Sequence, residues 1–136
     1  MKELLVEVIT PSKQAYSGSA ISVSIPGTLG GFQILYNHAP ILSSFEIGTI
    51  KIVEADNKET KYATGGGTVE VLDNKVLILA ESFEAPEEID VERAKKAMER
   101  AKDRLAKRKQ ADIDEARAEA ALKRAVNRLK LTGNLN

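Results

Sequence analysis

SFEAPEEIDVERAKKAMERAKDRLAKR, residues 82–108, is where the chain changes its period. Ahead of it, apolar residues come in short clusters broken by Gly, Pro, Asn and Asp. From Asp90 to about Arg108 there is no Gly, Pro or aromatic residue. The least polar positions there are Val91, Ala94, Met98, Ala101 and Leu105, spaced alternately three and four apart. That is one stripe of an amphipathic helix. Asp90 suits the start of that helix, because its carboxylate can accept from the unpaired N–H groups of the first turn. Arg93 faces the positive end of the helix dipole, where a cation is unwelcome. The run IDVERA, residues 89–94, therefore holds one residue that local helix chemistry leaves unexplained.

Downstream, a second helix is expected from ADIDE, where Asp112 and Glu115 have the spacing of a capping box. Its stripe is Ala118, Leu122, Ala125 and Leu129, with Val126 beside it, and Thr132-Gly133 ends it. Two helices with a short connection pair as an antiparallel hairpin. Their seams are rich in alanine, which buries little area at roughly 25 cal/mol per Å². Such a hairpin is weakly held together and suited to lie on something or to move.

Upstream, the pattern is that of strands. LLVEVIT (4–10) is β-rich and ends at Pro11. In ISVSIPG, Ile21, Val23 and Ile25 alternate with Ser22 and Ser24, the mark of a half-buried strand. GFQILY, IGTIKIVEA, TKYAT, GTVEVLD and KVLILAE follow, with hairpins expected at ADNKE and at Asp73-Asn74. Short strands at this spacing imply an antiparallel β-sandwich or flattened barrel. The expected class is thus α+β in two domains, a sandwich over 1–86 and a helical hairpin over 87–136.

The charges divide at the same place. Residues 1–86 carry six Lys/Arg and ten Asp/Glu, net −4, and residues 87–136 carry fourteen and ten, net +4. An acidic front and a basic back point to partner surfaces. The absence of cysteine rules out disulfides, thiolate nucleophiles and Cys-zinc sites. No apolar run reaches the roughly 20 residues of a membrane span. MKELLVEVITP lacks a cleavage pattern, so a soluble intracellular protein is expected.

Few residues invite catalysis. PGTLGGF and ATGGGTVEV lack GK[ST] and do not lead from a strand into a helix, so they read as turns, not phosphate cradles. His38, the sole histidine, sits in NHAP and reads as structural. One His without Cys argues against a transition-metal site. The carboxylates are interspersed with Lys and Arg on helix faces, as on a solvated surface. The arginines say more: Arg93, Arg100, Arg104 and Lys107 follow helical spacing, as do Arg117, Arg124 and Arg128. Two basic ridges beside one seam suit either a solvated helix surface or a polyanion such as a phosphate chain, a nucleic acid or an acidic protein. Nucleic acid is disfavoured by the interleaved acids and the lack of aromatics.

Three stretches carry a family resemblance over essentially the whole chain: SIPGTLGGFQILYNHAPILSSFEIGTIKI, ATGGGTVEVLDNKVLILAE, and IDVERA followed by ALKRAVNRL. Together they resemble the epsilon subunit of bacterial F-type ATP synthases, the subunit called delta in mitochondria. Gln33 and Tyr36 depart from the family pattern in the GGFQILYNH loop. The resemblance implies a non-catalytic rotor subunit at the cytoplasmic face of the bacterial plasma membrane, attached peripherally through the complex. Its sandwich would bind the gamma subunit and sit on the ring of c subunits, coupling catalysis to proton flow. Its helices would extend along gamma, contact the acidic C-terminal region of the beta subunit, and inhibit ATP hydrolysis. No cofactor is required, but in some bacterial members ATP binds the folded-down hairpin as a regulator. That motif falls here on Ile89, Asp90, Arg93 and Ala94, with Glu84, Arg124 and Arg128. The alternative is an independent polyanion-binding module, for nucleotide or nucleic acid, that uses the basic helical arm.

Overall fold

The computed structural model describes residues 2–107 and 114–135, and the chain forms two compact units, Met1–Ala85 and Pro86–Asn136. The first holds nine strands: β1 Leu4–Ile9, β2 Gln14–Ile25, β3 Phe32–Leu35, β4 Ile41–Phe45, β5 Gly48–Glu54, β6 Glu59–Thr64, β7 Gly67–Leu72, β8 Lys75–Ala80 and β9 Phe83–Glu84. They pair in the order β4-β7-β8-β1-β2-β5-β6-β9, with β3 also on β2. A bridge between Gly27 and Phe45, with the Glu46 N–H donating to Pro26 O at 2.9 Å, ties the end of β2 to β4 and helps fold the sheet over. One pair departs from the expected antiparallel scheme. β1 and β8 run parallel, with Leu5 opposite Lys75 and Ile9 opposite Leu79.

Inward positions fill the sandwich with Leu4, Val6, Val8, Val69, Val71, Val76 and Ile78 from one set of strands, and Val23, Ile25, Ile34, Ile50 and Ile52 from the other. Each such side chain contributes roughly 1.5–3 kcal/mol when fully buried. The alternation read in β2 is corrected at one point. The β2–β5 register slips between Ala20 and Ser22, so Ile21 is the extra residue of a bulge. Ala20 and Val23 are then both fully buried, Ser22 is buried with them, and Ile21 is only half-buried. The bulge lets β2 pair with β1 through its first half and with β3 through its second.

Turn chemistry fixes the registers. Asp73 and Asn74 have φ of 49° and 62°, the two left-handed positions of a tight hairpin between β7 and β8. Asn57, at φ 68°, closes the ADNKE hairpin by donating its N–H to Glu54 O at 2.8 Å. At Gly67 a Cβ would stand 1.9 Å from Leu79 O, so only glycine lets β7 enter here. Beside β9, the Tyr62 and Phe83 rings stack at 4.2 Å, with Tyr16 edge-on to both. The Tyr16 hydroxyl is buried without a hydrogen-bond partner, and burial, with Glu54 and then Tyr62 nearby, pushes its pKa up to about 12.

The second unit begins with a 3-10 turn, Pro86–Glu88, followed by α1 Val91–Ala106 and α2 Glu115–Leu131. The proposed capping residue Asp112 lies outside the described residues. The described cap of α2 is Asp114, whose side chain accepts from Arg117 N–H at 3.1 Å. At the far end Gly133 has φ 75°. Its N–H reaches Lys130 O and the Asn134 N–H reaches Leu129 O, a Schellman closure. The seam buries Ala94 and Ala101 of α1 with Ala118, Ala125 and Leu129 of α2, while Met98, Leu105, Leu122 and Val126 are half-buried.

Candidate functional site: one end of the helical hairpin

Asp90 has extended backbone geometry, φ −81° and ψ 100°, and its carboxylate accepts the Arg93 N–H at 3.1 Å. The oddity of IDVERA thus resolves into two parts. The Arg93 backbone is captured by the cap, while its guanidinium is exposed and forms no ion pair among the described residues. The helix dipole offers that cation nothing, so its position suits an external anion. Ile89 and Ala94 on either side are buried.

On α2, Arg124 and Arg128 stand one turn apart and are both half-buried, bracketing buried Ala125 and Leu129. The Arg128 carbonyl accepts the Thr132 N–H at 3.2 Å, which pins the last turn of the helix. A connector as short as residues 107–114 makes the hairpin antiparallel, so the last two turns of α2 lie beside the first turn of α1. Six of the seven residues singled out in the sequence therefore share one end of the hairpin. The seventh, Glu84, belongs to the sandwich unit, where β9 places it opposite Ala63 of β6.

The remaining basic positions differ in character. Arg93, Arg100, Arg104, Lys107 and Arg117 are exposed, and Lys107 pairs with Asp103 at 3.7 Å. His38 is a turn residue: its Nδ1 donates to Ala39 O at 2.7 Å and its N–H reaches Leu35 O at 3.1 Å. Among the described residues, no group of His, Asp and Glu could hold a metal ion, and no helix is long and apolar enough to cross a membrane.

Two features escaped the sequence reading. Asn37, at φ 64°, donates its N–H to Asn74 Oδ1 at 2.6 Å, and Asn74 Nδ2 donates to Asn37 Oδ1 at 3.3 Å. This clamp joins the turn after β3 to the β7–β8 turn across 37 positions of sequence, so no local pattern announces it. The second is a set of leucines on the outside of the sandwich. Their signal is present in LLVEVIT and KVLILA, where apolar residues fill outward as well as inward positions.

A β-sandwich followed by an alanine-seamed helical pair, with arginines gathered at one end, defines a two-domain, non-catalytic regulatory class of subunit. Residues 3–86 match the ATP synthase delta/epsilon chain β-sandwich domain, and residues 87–133 match the long α-helix domain of the same chain. The chain belongs to the ATP synthase delta/epsilon family and is a non-catalytic subunit rather than an enzyme. It is 44% identical over 133 residues to the ATP synthase epsilon chain of Nitratidesulfovibrio vulgaris, covering 98% of each chain. It is 41% identical to that of Halalkalibacterium halodurans, covering 98% of this chain and 99% of the relative. Among solved structures, a chain of the Euglena gracilis mitochondrial ATP synthase OSCP/F1/c-ring assembly superposes with TM-score 0.76 at 20% identity, over 90% of this chain and 77% of that one. A chain of the Tetrahymena thermophila ATP synthase central stalk and c-ring superposes with TM-score 0.59 at 18% identity, over 97% of each. At these identities the superpositions speak for the fold.

Proposed function

We propose that this chain is a rotor subunit of the central stalk, in which the sandwich anchors and the hairpin regulates. The sandwich binds the gamma subunit and rests on the c-ring at the cytoplasmic side of the membrane, coupling catalysis to proton flow. The helices restrain ATP hydrolysis when they extend toward the acidic C-terminal region of the beta subunit. The observation that carries this reading is the seam: its fully buried residues are four alanines and Leu129. A pairing with so small a hydrophobic stake can be shifted by a ligand worth a few kcal/mol. The family supports the rest, since relatives at 38–44% identity are epsilon chains.

ATP is the proposed ligand of the paired state. Its phosphates would meet the Arg93, Arg124 and Arg128 guanidinium groups, which suit bidentate phosphate contacts. Asp90 and Glu84 complete the set that the family resemblance implies. Two experiments test the reading. Hydrolysis by the assembled complex should rise when residues 87–136 are removed; an unchanged rate refutes the regulatory role. ATP titrated into the full chain should shift amide signals of α1 and α2, and Arg124→Ala or Arg128→Ala should weaken binding about tenfold. Unchanged signals at millimolar ATP remove the sensor role while leaving the stalk assignment intact.

A further inference from the structure

We infer that the outer face formed by β4, β7, β8 and β1 is a docking surface for a partner-protein segment that carries apolar side chains flanked by lysine or arginine. Outward positions of a water-facing sheet are ordinarily polar. Here Leu5 is 57% exposed, Leu42 74%, Leu72 50% and Leu79 47%. The registers gather them on one face: Leu5 and Leu72 flank Lys75, Leu79 sits opposite Ile9, and Leu42 sits opposite Glu70. A contiguous apolar patch of this kind marks an interaction site. The outer positions of β5 and β6 are polar by contrast, with Lys51 paired to Glu59 at 4.0 Å.

The face is also concave. A groove of about 630 Å³ runs between Leu5 and Leu77 and the β2 residues opposite, Ser17, Gly18 and Ser19. The small size of those three β2 residues is what opens it. The rim decides the occupant. It carries Glu7, Glu70 and Asp73 against a single cation, Lys75, and none of the four forms an ion pair among the described residues. Glu7 accepts a hydrogen bond from Gln14 Nε2.

A neutral apolar ligand would leave the three carboxylates uncompensated, and a nucleic acid would be repelled by them. A second copy docking through the same face would bring like charges together. An apolar segment with flanking cations satisfies both the floor and the rim. The Asn37–Asn74 clamp holds the β7–β8 turn at one end of the groove, so little ordering is needed on binding.

The test rests on the stalk-subunit reading only for its choice of partner. The probe is the ATP synthase complex of the same source, depleted of this subunit, with affinity measured for the full chain. Wild type should bind, while the Glu70→Lys/Asp73→Lys double variant and Leu79→Gln should each bind at least about tenfold more weakly. Lys61→Glu, on β6, should bind as wild type. Thermal melts check that each variant is folded. If wild type binds and both face variants match it, the docking surface is wrong while the stalk reading stands. If wild type does not bind, both fail. If sedimentation shows a dimer of the free chain that the double variant abolishes, the occupant is a second copy and the assignment is overturned.

Discussion

Leu4, Val8, Ile34, Ile50, Ile52 and Ile78 lie in the sandwich with no exposed surface, whereas the hairpin seam is Ala94, Ala101, Ala118 and Ala125 with Leu129 as its one fully buried large side chain. Branched aliphatics interdigitate from two layers in the first case. Short side chains let two backbones approach in the second, with half-buried Met98, Leu105, Leu122 and Val126 at the margins. The first arrangement resists change at any single point. The second concentrates its stability in very few atoms, which suits an element that changes partners. Units built so differently should open with separate free energies.

The largest effect expected from breaking this contrast is in the sandwich. Ile52→Ala leaves a cavity in a site that cannot collapse and should cost about 3–4 kcal/mol, read as a lower midpoint in denaturant titration. Leu129→Ala should cost about 2–3 kcal/mol but in the hairpin alone, so hydrogen exchange of α1 and α2 amides should speed up while β-strand amides keep their protection. Uniform loss of protection in both units would show that they unfold as one. Asp90→Ala removes the cap of α1 and should cost about 1 kcal/mol, visible as reduced helicity with the sandwich melt unchanged.

The smallest effect concerns Tyr16. Its folded pKa, about 12, is raised above the ordinary 10.0, so the stability it contributes is complete below pH 10 and is lost as pH rises toward 12. Tyr16→Phe removes an unpartnered buried hydroxyl. It should be close to neutral at pH 7 and should flatten the fall in stability between pH 10 and 12. An identical alkaline profile in the variant would assign that fall to other groups.

How much of this was legible depended on the reach of each signal. The Asp73-Asn74 turn, the Asp90 cap and the Gly133 stop are local, each set by a few dihedrals, and the residues that satisfy them are diagnostic. The bulge at Ile21 was not readable, because ISVSIPG alternates well and only the partner strand reveals the slipped register. Asp112 and Asp114 both suit a cap, and spacing alone favoured Asp112. At the candidate site, Arg93 stood out because it contradicts a local rule. The half-burial of Arg124 and Arg128 did not, since it depends on which face of α2 meets α1. The leucines of the outer sheet face could have been noticed as outward positions that should have been polar.

The parallel pairing of β1 with β8 has a kinetic consequence. Leu5 through Ile9 wait for Lys75 through Leu79, some seventy positions later, before β1 acquires its second neighbour. During synthesis that edge, with Leu5 and Ile9 beside it, stays open until nearly the whole sandwich has left the ribosome. Closing so long a loop is slow compared with zipping α1 onto α2. The anchor of this molecule is therefore also its late-forming part, and the interval before β8 arrives is when misassembly is most to be expected.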